Sequence, residues 1–515
     1  MFKKISLLSC ATATLLASNG TNLIGTSTVS RAMGGTGVAF YSHATEALHK
    51  NVSLMGDIEK DEFQIDMTYF RADITSSVQD DNPLNFGPSN GAAISATSQN
   101  MPTTNFIPSM AYATRINDNT VFGVAMIGAA GMATQYEGEY AQRQLNSSMM
   151  LMKIIPGISY RQGNTTFGIA PVLGLGSMRL NYDEAYLDEN GDYYGDGKKP
   201  QSQREGLFGT DAGGESLVPA FGWTAGIDIK VTPKLRIGAN YNSSLKYTYK
   251  DVANFSQFGA NGMVYMADEY MHSVTGSGLT NSNTGQELAD QLIGVGLNPT
   301  LANAIGSLSS SIGGSDTVFE ALEASNPNNL DDLTLEQPWE LAFGLAYDIS
   351  DKATVTADYR YIAWGLAEGY SYFGWENQHV FALGAEYKAD GYALRFGYNY
   401  AESPIKQVAG ETGSFLTNVQ DHYVFDQALS MLNMVGFPAI TTTHFTAGFG
   451  YEISENMDLD MAVMYAPEST HERSGSLLPL DADTTGLPAD FTFFDYEYIT
   501  KMQQFSLSAG LNYRF

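Results

Sequence analysis

The sequence predicts an all-β chain, a 14-stranded antiparallel transmembrane β-barrel plugged by an N-terminal hatch. In the last eleven residues Phe505, Leu507, Ala509, Leu511, Tyr513 and Phe515 share one parity, and Ser506, Ser508, Gly510, Asn512 and Arg514 the other. A period of two is a strand with one apolar and one polar face. Its length suits the roughly nine to eleven residues with which a tilted strand crosses a bilayer. Glycine (52), tyrosine (30) and phenylalanine (27) abound while only 16% of residues are charged. The mean hydropathy of -0.16 is too low for a helical membrane protein, and no apolar run of about eighteen follows the N-terminus. A barrel hides its hydrophobicity by alternating it, and its aromatic girdles account for the tyrosines. A soluble sandwich also alternates, but it needs neither a secretory leader nor short turns on one side and long loops on the other.

Residues 1–20 carry such a leader. Lys3 and Lys4 precede an apolar stretch from Ile5 to Ala17, and small residues at Ser18 and Gly20 permit cleavage before Thr21. The single cysteine, Cys10, lies inside it, so the remaining chain has no thiol chemistry. Residues 21–58 are small and glycine-rich without alternation, as suits a compact hatch inside a lumen.

Residues 59–515 alternate throughout, with the first strand starting near Glu62. Tight-turn signals occur at Asn117-Asp118-Asn119, Gln162-Gly163-Asn164, Thr232-Pro233, Ser350-Asp351-Lys352, Ala389-Asp390-Gly391 and Ser454-Glu455-Asn456. Between them lie seven longer connections, near 77–102, 132–146, 184–216, 250–335, 366–378, 402–441 and 466–498. Fourteen strands result, with the short turns on the periplasmic side. The largest connection, 250–335, contains two helix-like pieces with Leu288, Leu292, Leu301, Ile305 and Leu308 at helical spacing. Apolar residues in an external loop must cover something: either each other and the barrel mouth, or the wall of a capture groove.

The net charge of -29 lacks the basic footprint that nucleic acid requires. Asp188, Asn190 and Asp192 mimic the start of a calcium loop, but Tyr193 and Lys199 stand where glycine and glutamate belong. Gly34-Gly35-Thr36-Gly37 lacks the lysine of a phosphate loop. The seven histidines are scattered. No enzyme, metal or cofactor is expected.

Ser30-Arg31-Ala32-Met33-Gly34-Gly35-Thr36-Gly37, then Ala39 and Asn51, resembles the hatch signature of the FadL/TodX outer-membrane transporters of hydrophobic compounds. Gly131-Met132-Ala133-Thr134-Gln135-Tyr136 after Phe122-Gly123 is similar to that family's third strand and following loop. Gln337-Pro338-Trp339-Glu340, Tyr361-Ile362-Ala363-Trp364 and Tyr400-Ala401-Glu402-Ser403-Pro404 fit later strands in order. The chain departs from the pattern at Tyr41-Ser42-His43 and at Asn51-Val52-Ser53, where the family has an Ala-Asp-Asp run and Asn-Pro-Ala.

The resemblance implies a monomer in the bacterial outer membrane, among its lipids and lipopolysaccharide, passively admitting hydrophobic molecules with long-chain fatty acids as default cargo. Capture at an external groove, binding in the lumen and sideways release through a kinked third strand would follow. The hatch residues are then Arg31, Gly34, Gly35, Gly37 and Asn51, and the gate Gly128, Gly131 and Met132. Glycines in a strand mark a bulge or bend, and mere curvature fits them equally. For a ligand carboxylate, parity turns Lys246 and Arg360 inward, with a lumen ion pair to Asp358 as the plainer role of Arg360. A surface adhesin or receptor on a barrel, and an open general porin, are the other functional classes compatible with the pattern.

Overall fold

A computed structural model describes residues 19–80, 94–100, 105–138, 146–182, 210–212, 217–253, 331–406, 416–419, 422–479 and 492–515, with 275–279, 285–296 and scattered helical positions between 261 and 306. Sixteen strands share one sheet. Thr210–Ala212 is a short extension, and Ile94–Asn100 with Asn105–Asn117 forms a single wall strand in two lengths, which leaves fourteen in the ring. These are β1 (Glu62–Asp80), β2 (Ile94–Asn100 and Asn105–Asn117), β3 (Thr120–Gly138), β4 (Asn146–Gln162), β5 (Thr165–Tyr182), β6 (Val218–Lys230) and β7 (Leu235–Asn242). There follow β8 (Glu340–Ser350), β9 (Ala353–Ile362), β10 (Gln378–Ala389), β11 (Tyr392–Ala401), β12 (Thr443–Ser454), β13 (Met457–Pro479) and β14 (Thr492–Arg514). Each pairs antiparallel with its neighbour, and β14 closes on β1 from Glu62↔Arg514 to Asp80↔Tyr496. Closure removes the edge that lipid cannot solvate.

The six tight turns fall where their residues place them. On β14 Leu507, Leu511, Tyr513 and Phe515 are exposed while Ser506, Ser508 and Asn512 are buried. On β1 Phe63, Ile65 and Met67 face out and Gln64, Asp66 and Thr68 face in. The outer surface carries a run of rings across neighbouring strands: Trp223–Tyr241 (5.1 Å), Tyr241–Trp339 (6.2 Å), Trp339–Tyr361 (5.3 Å) and Tyr361–His379 (5.3 Å). Such a girdle suits the membrane interface, where a ring finds both an apolar and a wet side.

Strands reach further than their alternation suggests. β13 runs to Pro479 and β14 begins at Thr492, so the last long connection is shorter than 466–498. Leu245–Ala253 and Asp331–Gln337 pair with each other as a hairpin outside the wall sheet. Within the 402–441 connection, α3 (Asp426–Met431) runs into a π-helical turn, Leu432–Gly436.

Residues 19–58 occupy the lumen almost wholly buried, with two short helices, α1 (Thr28–Ala32) and α2 (Ala44–Lys50), and a 3-10 turn at Val52–Asp57. Residues 1–18, most of the leader expected from sequence, lie outside the described residues. Asn19 and Gly20, assigned to the leader by sequence, form a tight turn with Asn22, and a Cβ on Gly20 would strike the Trp364 indole at 2.6 Å. Cleavage before Thr21 would remove that contact.

Candidate functional site

The interior changes character with height. Near the tight turns the inward residues of β1 are Glu62, Gln64, Asp66 and Thr68; further out they are Phe70, Ala72 and Ile74. On β14 Asn512, Ser508 and Ser506 give way to Met502 and Tyr498. The polar half holds residues 19–58. The apolar half forms a chamber above them.

In the polar half the wall presents side-chain acceptors to backbone donors. Asp358 Oδ2 accepts from the N–H of Gly37 (2.8 Å) and Val38 (3.0 Å), and Asp66 Oδ1 from that of Thr28 (2.9 Å). Glu62 accepts from Ala44 N–H and from the Tyr41 hydroxyl (2.8 Å). Asn399 donates to Gly34 O (3.0 Å). Gly34 has φ 69°, and a Cβ there would lie 2.6 Å from Tyr398 O and 2.8 Å from Leu383 O of the wall. Only glycine takes that φ without penalty and admits that approach. Gly35 is likewise pressed on Ile24 O, and Gly37 supplies the N–H that Asp358 holds.

Arg31 is buried, donates from Nη2 to Gly25 O (2.7 Å), and is lowered to about 10 by burial against the pull of Glu46 and Asp66. Asn51 donates to Val38 O (2.7 Å) and Ile227 O (3.1 Å) and accepts from Ser53 N–H and Oγ (3.2 and 2.6 Å). Ser53 thereby holds the turn that a fixed proline φ would otherwise set. Burial works to lower the His43 pKa, but the hydrogen bond to Asp460 (3.2 Å), with the charges of Asp460, Glu62 and Asp66, raises it above the ordinary 6.5. A raised histidine contributes fully below its unfolded value and loses that contribution as pH rises through the folded one. Thermal stability should therefore decline from pH 6 towards alkaline pH. His43→Gln should flatten that slope, as read by temperature-dependent gel migration of the folded barrel; an unchanged slope would reject the coupling.

The wall is broken beside β3. Its ladder with β2 runs from Asn117↔Thr120 to Ser109↔Ile127 and resumes only at Asn100↔Tyr136. Residues 105–108 pair with β1 but not with 128–131 of β3, and the residues that would face 132–135 lie outside the described ones; the β4 side continues with a bulge between Gly128 and Ala130. The freed backbone groups turn inward: Leu23 N–H donates to Ala129 O (3.4 Å) and Gly131 N–H to Thr21 O (3.1 Å). Side chains record the same dip. Phe122 and Val124 are exposed, yet residues 127–134 are all buried. Outward parity after the bulge falls on Gly131 and Ala133, so β3 itself turns only small residues outward there, and Met132 faces in at the level of Met149. A Cβ on Gly128 would strike Ile107 Cγ2 at 2.6 Å.

Above the break the π-helical turn roofs the chamber. Tyr136 donates to Val435 O (2.8 Å), Thr500 to Met434 O (2.6 Å) and Thr134 to Gly436 O (3.2 Å). Beside it Trp364, Tyr370 and Trp375 cluster with centroids 4.7 to 5.0 Å apart.

At the chamber floor Lys153, Lys50 and Arg360 gather round Glu340. Lys153 points inward between Leu151 and Ile155 and forms no hydrogen bond or ion pair among the described residues, feeling Glu340 at longer range. Arg360 lies 3.8 Å from Glu340, which also accepts from Asn22 Nδ2 (2.8 Å). Arg360 thus pairs with Glu340, while Asp358 accepts from the backbone of the 19–58 segment and feels Arg360 at longer range. Lys50 donates to Ile24 O (3.2 Å); burial, then Arg360, lower it to about 8 against Glu46, Glu340 and Asp358. Burial, followed by Lys153, Lys50 and Arg360, holds His49 well below its usual value, hence neutral. Lys153 and His49 keep partial accessibility although barrel and hatch enclose them, so they line an interior space. Sequence parity misses Lys153 because its flanks are apolar, and an apolar flank usually signals lipid.

Lys246 is corrected. It is exposed on the outer hairpin, 2.8 Å from Glu368, and its neighbours Leu245, Tyr247 and Tyr249 are the buried ones. Parity inverts there because the inner face of the hairpin lines an apolar chamber. Leu288, Leu292 and Ile305 are buried, with Gly306 pressed on Gly285 and Ala289, so those two helical pieces cover one another; Leu301 and Leu308 lie outside the described residues. No metal-binding cluster occurs among the described residues.

The family of outer membrane transport proteins described as OMPP1/FadL/TodX matches residues 7–412. The chain belongs to that family. Its setting is the bacterial outer membrane, and the FadL/TodX proteins are transport proteins rather than enzymes. No curated protein sequence matches the chain. Its fold is similar to a Pseudomonas aeruginosa FadL homologue (TM-score 0.57, 14% identity, 98% of this chain and 100% of the other). It is also similar to the toluene transporters TodX of P. putida (0.53, 16%, 96% and 99%) and TbuX of Ralstonia pickettii (0.51, 18%, 96% and 99%). As in those FadL/TodX relatives, the chain forms a closed fourteen-strand barrel.

Proposed function

We propose that this FadL/TodX protein carries hydrophobic molecules with an acidic head, long-chain fatty acids by preference, from the outside into the outer membrane. The break beside β3, floored by the 19–23 segment and lined by small residues, is the observation that carries the route. An apolar chain gains about 0.8 kcal/mol per CH₂ by avoiding water, so it leaves sideways into lipid rather than down a polar plug.

Three cations share Glu340 at the chamber floor, and this favours a carboxylate over a neutral hydrocarbon. A hydrogen bond to a charged group contributes about 1.5–3 kcal/mol, and Lys153 has no hydrogen bond or ion pair to surrender among the described residues. Lys153→Met should weaken palmitate binding roughly tenfold or more and leave toluene binding unchanged. Affinity for palmitate should also fall as pH rises through about 8, where Lys50 in the empty site loses its proton, whereas affinity for toluene should not change with pH. Titration of the detergent-solubilised barrel with both ligands tests this. Equal effects on the two, or none on palmitate, would remove the carboxylate assignment and leave the lateral route to be judged separately.

A further inference from the structure

Two phenols in the chamber stand out. Tyr247 and Tyr249 lie on the outer hairpin, 1% and 4% exposed, and neither hydroxyl has a hydrogen-bond partner among the described residues. Leaving a buried hydroxyl unmatched is costly, so such groups ordinarily have a partner. Their position is built. On the inner face of β5 a Cβ on Gly174 would strike the Tyr247 hydroxyl, and one on Gly176 would lie 2.8 Å from the Tyr249 hydroxyl and 3.0 Å from Leu151 Cδ2. Two glycines thus make room for two phenol heads, whose surroundings include Leu151, Leu245 and Leu335. Gly174 pairs directly with Lys153 across the β4–β5 ladder, so the Tyr247 hydroxyl, seated on Gly174, lies beside the strand position from which Lys153 projects inward.

We propose that the Tyr247 and Tyr249 hydroxyls form a hydrogen-bonding subsite for an oxygen substituent close to the carboxylate of an acyl ligand. The inference rests on the carboxylate reading above and adds a chemical class: acids oxygenated within a few carbons of the head, such as β-hydroxy acids. Lys153 takes the carboxylate, and the phenols donate to the oxygen beside it. Sites built to bond a substrate hydroxyl reject the analogue that lacks it, because their own polar groups are then left unmatched.

The test compares palmitate with β-hydroxypalmitate on the wild-type barrel, on Tyr247→Phe/Tyr249→Phe and on Lys153→Met. The wild type should prefer the hydroxy acid by about fivefold or more. The double phenylalanine variant should lose that preference while keeping its palmitate affinity. Lys153→Met should weaken both acids. No preference in the wild type, or one that survives the double substitution, overturns the subsite and leaves the carboxylate reading standing. Failure of the wild type to bind either acid overturns both.

Discussion

A barrel lacking residues 21–58 should conduct ions freely in planar bilayers, where the intact chain stays nearly closed. The segment fills the polar half of the lumen and takes its hydrogen bonds from Glu62, Asp66, Asp358, Asn399 and Asp460 of the wall. Removing it leaves those groups facing a wide, hydrated ring, since fourteen strands enclose more space than their own side chains fill. The fourteen-strand ladder does not depend on the segment, so the shortened chain should still show the resistant gel migration of a folded barrel. Conductance that stays at the intact level in a correctly folded deletion would mean that the segment does not seal the lumen. A general porin would show the opposite pattern, high conductance before any deletion.

Gly131→Val should reduce uptake of long-chain fatty acid by roughly tenfold or more, the equivalent of about 1.4 kcal/mol at the step of release. Residue 131 sits at outward parity just past the bulge, where β3 has no partner on the β2 side. A branched side chain there projects into the break, and a β-branched residue also favours regular strand over a kink. Palmitate binding in the chamber should persist, because Lys153 faces inward from β4. The combination of retained binding and lost uptake marks an exit defect. A folded valine variant with normal uptake would place the exit elsewhere.

The barrel was legible in the chain because a lipid-facing wall imposes the simplest pattern available, one residue out and one in. Six turns at residues such as Gln162-Gly163-Asn164 punctuate it, and strand after strand keeps its face. The interior was far less legible. Parity names the side a residue faces, not the polarity of what it meets there. Lys246 was turned inward because inward usually means polar, yet beside it Tyr247 and Tyr249 occupy an apolar interior. The same assumption hid Lys153 between Leu151 and Ile155. Arg360 did face in, but its companion came from β8 rather than from its own strand, a contact that no local spacing encodes. The departures at Tyr41, His43 and Ser53 look like lost motif residues in sequence. In space each is an anchor, to Glu62, Asp460 and Asn51.

At three points the seam between stopper and cylinder is bare main chain against bare main chain. Gly34 abuts Gly397, Val38 abuts Gly238, and the Val52-Ser53 junction lies against Gly168. Each notch in the cylinder is cut for one stretch of the stopper, so neither half can drift alone. A methyl group added at any of those three wall glycines would lie 2.0 to 2.3 Å from the stopper's backbone, and the stopper could not seat.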